Sequence, residues 1–248
     1  MAQADLPTWS FPPEDLHLLE SEAHVWRFYL DLPSHEAFRM GALLTTEELQ
    51  RADRFRFKID KDRYIARRGF LRKVLGRYLD IPPAQIIISY STFGKPFFAD
   101  DDASQKLRFN LAHSSGLALI AVTRRREIGV DVEQIRNDVE IELLAERLFS
   151  EAERENLRSV NKRGKLQAFF TCWTRKEAYL KARGEGLSFP LNRFTVSFLP
   201  GEPPRLLTVK NNPSEVERWT LYHLEPSPGY AAALAVEGVL QQLKCWTG

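Results

Sequence analysis

The sequence predicts an α+β chain that is built twice, and a repeated order of elements is what predicts it. Thr45-x-x-Glu48 and Ser150-x-x-Glu153 both have the form of a capping box, in which a hydroxyl and a carboxylate three residues on satisfy each other's backbone N–H groups at a helix start. Each box is followed by a longer basic amphipathic segment, about 61 to 79 in the first half and about 165 to 182 in the second. Each segment then passes through a Gly or Pro breaker into strand-like residues, Ile86 to Tyr90 and Phe194 to Phe198.

Taken in order, Val25 to Leu30 has strand character without recognisable chemistry, and so does Thr220 to Leu224 near the other end. In the segment from Lys61 to Leu79, Tyr64, Leu71, Leu75 and Tyr78 fall on one stripe, the side expected to face a core. Arg63 and Arg67 share a different face, with Arg68 beside them. Gly94-Lys95-Pro96 reads as a turn. His113 and Ser114-Ser115-Gly116 precede the uninterrupted apolar run Leu117 to Val122. From Ile128 to Glu133, Ile128, Val130 and Val132 alternate with Gly129, Asp131 and Glu133, so a strand there sends both acids to one face. The charged turn from Arg124 to Glu127 is the expected lobe boundary, giving lobes of 1–126 and 127–248. In the second long helix Trp173, Glu177 and Lys181 recur every four residues and stack along one side.

Composition limits the partners. A chain of 248 residues with 44% apolar and 27% charged residues can bury a sizeable core, and a net charge of +2 gives little support to general nucleic-acid or membrane-surface binding. The charge is nevertheless uneven: residues 51 to 77 hold eleven Lys or Arg against three Asp. No apolar run approaches the roughly 18 to 20 residues that span a bilayer, and Met1 to Pro13 lacks the basic start and apolar stretch of a secretory signal. Cys172 and Cys245 make no disulfide framework, so the expected location is the cytoplasm.

A helix crossing the 128–133 strand would bring Glu177 to Asp131 and Glu133. Three carboxylates without His or Cys suit magnesium rather than zinc, since magnesium takes hard oxygen ligands and fills its octahedron with waters and phosphate oxygens. Separately, an acid pair on a solvated strand face and a Glu-Lys helix pair are both ordinary. Their joint occurrence is what points to a site.

At these residues the chain resembles the Sfp-type 4'-phosphopantetheinyl transferases, whose signatures read Gly-(Val/Ile)-Asp-(Ile/Val)-Glu and Trp-(Ser/Thr/Cys)-x-Lys-Glu-(Ala/Ser)-x-x-Lys. The resemblance extends to Phe93-Gly94-Lys95-Pro96, to Phe109-Asn110-Leu111-Ala112-His113-Ser114 and to Gly184-x-Gly186-Leu187-x-x-Pro190-Leu191, covering most of 45 to 200. It implies a single-chain pseudo-dimer of two similar α/β lobes related by a pseudo-two-fold, hence a monomer, with the active site between lobes. It also implies attack of a carrier-protein serine on coenzyme A. Asp131, Glu133 and Glu177 would hold magnesium, with Glu177 and Lys181 catalytic and Glu177 a candidate base. Coenzyme A would meet Arg51, Arg63, Arg68, Lys95, His113, Lys176 and Lys181. Where several relatives carry a lysine one turn before Arg51, this chain has Glu47 and Glu48, which shifts the expected 3'-phosphate grip to Arg51, Arg63 and Arg68. An apo acyl or peptidyl carrier protein presents an acidic helix, and the basic stretch from Phe149 to Lys165 could meet it, although an exposed charged loop is an equal reading. Two other classes stand beside this one. A different magnesium-dependent nucleotide enzyme lacks a Gly-x-x-x-x-Gly-Lys-(Ser/Thr) loop here, and a non-catalytic module would bind acidic partners through 51 to 77.

Overall fold

The computed structural model describes residues 7–98, 106–186 and 189–248, so Met1 to Leu6 and Leu187 of the glycine motif lie outside the described residues. The chain runs β1 (Trp9–Ser10), β2 (Glu22–Tyr29), α1 (Ser34–Gly41), α2 (Thr46–Ala52), α3 (Lys58–Leu79), β3 (Ser89–Tyr90), β4 (Pro96–Phe97), β5 (Leu107–Ser114), β6 (Leu117–Arg124), β7 (Ile128–Gln134), α4 (Ile141–Leu148), α5 (Glu151–Ser159), α6 (Lys162–Arg183), β8 (Phe194–Val196), β9 (Leu206–Val209), α7 (Glu215–Arg218), β10 (Trp219–Leu224), β11 (Tyr230–Glu237) and β12 (Gln242–Thr247). It is α+β. None of the described helices is long and apolar enough to cross a membrane.

Two sheets form the centre, one in the order β1-β12-β2-β6-β5 and the other β10-β11-β7. Strand alternation divides the apolar residues among three layers. Trp26, Phe28, Ala118, Ile120 and Val122 pack under α3 through Phe70, Leu71, Val74 and Leu75. Val25, Leu119 and Ala121 meet Val130, Val132, Leu234 and Val236 in a shared core. Ala231, Ala233 and Ala235 support α6 through Ala178, Tyr179 and Ala182. The expected stripe of Tyr64, Leu71, Leu75 and Tyr78 is buried.

Strand pairing departs from a division at 126/127. β12 runs parallel to β2, with Cys245 opposite Val25, so the last strand of the chain completes the N-terminal sheet. The boundary strand itself is as expected, with Ile128, Val130 and Val132 buried. Gly129 is required there for close approach: a Cβ at this position would lie 2.2 Å from Ala178 O and Ala182 N, so only glycine lets α6 sit directly on β7.

Both capping boxes form, at Thr45 with Glu48 and at Ser150 with Glu153. Each carboxylate has a second role. Glu48 accepts from Arg72 Nε at 2.7 Å and from Arg68, and Glu153 accepts from Lys176 Nζ at 2.7 Å, so each box pins the long helix that follows it. Burial works against a charge on Glu48, but Arg68 and Arg72 outweigh it and hold the carboxyl below its usual value of 4.5. A depressed folded pKa gives stabilisation that is complete above the unfolded value and is lost as pH falls through the folded one. Thermal melts on acidification below about pH 4.5 should therefore fall less steeply for Glu48→Gln, itself less stable at neutral pH, than for wild type.

Candidate active site

The close seat of α6 on Gly129 places Lys181 against Asp131. Asp131 is 4% exposed; its Oδ1 accepts from Lys181 Nζ at 2.6 Å, while its Oδ2 is buried without a partner. Burial raises the Asp131 pKa against the pull of Lys181. Glu133, on the same face of β7, accepts from Ser114 Oγ at 2.7 Å; burial and then the Asp131 charge raise its pKa, opposed by Ser114 and the Trp173 indole. Glu177 is pushed up to about 7, by burial first and then by Asp131 and Glu133. Burial alone would lower Lys181, but Asp131, Glu177 and Glu133 hold it above the ordinary lysine value. The groups thus act on one another across the β7–α6 seam.

A buried carboxylate oxygen without a partner, among three carboxylates whose charges act on one ammonium, is an oxygen donor set with excess negative charge. That chemistry fits a hard divalent cation such as magnesium. In their present positions no three His, Cys, Asp or Glu side chains among the described residues stand close enough together to hold an ion. Lys181 supplies the positive charge on Asp131 instead.

The expected cationic residues divide into free and committed groups. Arg51 is exposed beside an open recess lined by Glu47, Gln50, Arg54 and Phe55. His113 reaches solvent at the end of β5, yet crowding by the walls around it, with Arg67 and Lys181, pushes its pKa down to about 4. Arg63 is held by Asp31 through bonds of 2.6 and 2.9 Å. Lys95 donates to Glu127 at 2.5 Å and to Ala182 O at 2.7 Å, capping the end of α6.

Two expectations are corrected. Arg68, 6% exposed, is spent on Glu48 and is no phosphate clamp. Lys176 is fully buried, bonded to Glu153 and to Phe194 O at 2.6 Å, and is not presented to a ligand. The reason is the same in both: a charge facing the core needs a partner, and the capping-box glutamates provide it. Arg154 and Arg158 both bind Glu146, and Lys165 faces Glu142, so much of the basic character from 149 to 165 is neutralised locally.

Arg67 was missed. Its guanidinium lies 5.0 Å over the Tyr64 ring and its Nε is buried without a hydrogen-bond partner. Burial, with lesser contributions from Arg68 and Arg51, pushes its pKa down to about 10. The sequence signal was the Tyr64–Arg67 spacing, which stacks a cation on an aromatic one turn away. Arg51 acts on Arg67, and Arg67 and Lys181 act on His113, so these four form an electrostatically connected set suited to anions.

A model of the 4'-phosphopantetheinyl transferase superfamily matches residues 127–235, and one of the 4'-phosphopantetheinyl transferase N-terminal region matches 32–125. The chain is 41% identical over 239 residues to 4'-phosphopantetheinyl transferase HetI of Nostoc sp., covering 96% of this chain and 98% of that one. It is 28% identical over 214 residues to 4'-phosphopantetheinyl transferase Sfp of Bacillus subtilis, covering 85% and 90%. A Xenopus laevis L-aminoadipate-semialdehyde dehydrogenase-phosphopantetheinyl transferase is 33% identical over 164 residues, covering 62% and 54%. With both halves matched in order and one relative aligned along nearly its whole length, the chain belongs to the 4'-phosphopantetheinyl transferase superfamily.

Proposed function

We propose that this chain transfers 4'-phosphopantetheine from coenzyme A to a serine of an apo carrier protein and releases 3',5'-ADP. The observation that carries the reading is the Lys181–Asp131 pair, with its unpartnered Oδ2, whose charges act on Glu133 and Glu177. Asp131, Glu133 and Glu177 would hold magnesium, which when bound neutralises pyrophosphate charge.

The serine oxygen forms a bond to the β-phosphorus, and the bond from that phosphorus to the bridging oxygen breaks. The electron pair leaves with 3',5'-ADP. Glu177, directly or through a metal-bound water, accepts the hydroxyl proton, and Lys181 stabilises charge on the departing phosphate. Arg67, Arg51 and His113 orient the phosphates of coenzyme A. One chain supplies both cleft walls, so it acts as a monomer. Its two free, buried cysteines suit the cytoplasm.

Incubating the protein with coenzyme A, Mg2+ and an apo carrier should raise the carrier's intact mass by about 340 Da, the mass of the added group. An unchanged mass with detectable carrier binding would favour the non-catalytic module. Arg67→Ala should raise KM for coenzyme A about ten- to a hundredfold, the worth of a charge-assisted hydrogen bond, in steady-state assays at saturating carrier. Arg68→Ala should instead lower stability and leave that KM nearly unchanged.

A further inference from the structure

Ser114 ends β5 at the seam between the two sheets, where β5 and β7 are edge strands that share no backbone ladder. Side chains make the connection. Asn110 Oδ1 accepts from Val130 N at 2.9 Å, and Ser114 Oγ, four residues on and on the same face of β5, accepts from Gln134 N at 3.1 Å. These two bonds fix β5 against β7 on either side of Asp131 and Glu133. The Gln134 N–H can only donate, so it takes a lone pair of the Ser114 hydroxyl and leaves the hydroxyl proton for Glu133 Oε2, 2.7 Å away. His113, one residue earlier, points to the opposite face, toward α3.

We propose that Ser114 is a positioning residue for Glu133. Glu133 has three rotatable side-chain bonds on the partly exposed end of β7, and a tether from a hydroxyl whose direction is itself set by Gln134 holds its carboxylate beside Asp131. The idea rests on the magnesium reading of Asp131, Glu133 and Glu177, and it adds a residue outside the ligand set on which the grip of that set depends.

The test is Mn2+ binding to the full chain with coenzyme A present, followed by electron paramagnetic resonance, alongside metal-dependence curves for transfer. Ser114→Ala should weaken Mn2+ about ten- to a hundredfold, the usual effect of removing a hydrogen-bond partner of a metal ligand. Ser114→Thr, which keeps the hydroxyl, should restore binding. KM for coenzyme A at saturating metal should stay near wild type in both variants, because no contact to coenzyme A is lost. Should the alanine variant fail to fold, Ser114→Cys, of similar volume but with a weak donor, takes its place with the same expectation. Mn2+ affinity of the alanine or cysteine variant within about twofold of wild type overturns the proposal, as does a loss that threonine does not restore. Failure of the underlying reading looks different: the wild-type chain itself would bind no Mn2+ or leave the carrier mass unchanged.

Discussion

Glu177→Gln and Asp131→Asn should each lower kcat/KM for carrier modification by about two to three orders of magnitude, the scale on which one preorganised electrostatic group acts in a transition state. Both substitutions keep volume and remove charge, so the fold should survive. The stronger expectation concerns stability. Burial and two neighbouring carboxylates push Glu177 up to about 7 from 4.5. A carboxyl whose folded pKa lies above its unfolded one destabilises the native state when ionised, fully above the folded pKa and not at all below the unfolded one. With metal removed by a chelator, Glu177→Gln should therefore melt above wild type near pH 8, and the difference should vanish below about pH 4.5. An inactive variant more stable than its parent would mark a site where folding stability is sacrificed to chemistry. A variant that remains active, or whose advantage does not change with pH, would remove Glu177 from the role given to it.

What was legible in the sequence was local. The alternation from Ile128 to Glu133 placed both acids on one face because side-chain direction in a strand has a fixed period, and the capping boxes appeared where their motifs stand. The pairing of β12 with β2 was not legible, since a strand's own residues do not say which edge it will join across more than two hundred positions. Arg68 and Lys176 were misread for a related reason. A cation beside functional residues looks exposed until its partner is known, and the partners lie 20 and 23 residues earlier in sequence. The seat of α6 on Gly129 was equally hidden, because a glycine in a strand does not name the backbone that approaches it.

The reassignment of Lys176 leads to the largest stability effect expected in the molecule. Glu153 and Lys176 are both 0% exposed, and the lysine lies 4.1 Å from the centre of the Phe194 ring. Glu153 also accepts from Ser150 N and from Val196 N, each at 2.8 Å, so its charge is built into the start of α5 and the edge of β8. Lys176→Met nearly preserves the stem but strands that carboxylate in the core, at a cost of about 3 to 5 kcal/mol. In a chain of this size the melting temperature should fall by about 10 °C. Adding Glu153→Gln to Lys176→Met should recover part of the loss, because a neutral amide costs less to bury than an unpaired charge. At a temperature where the single variant remains folded, its KM for coenzyme A should match wild type. An unchanged melting temperature with KM raised tenfold or more would instead return Lys176 to the coenzyme A site, and would mean that the buried pair with Glu153 opens when substrate arrives.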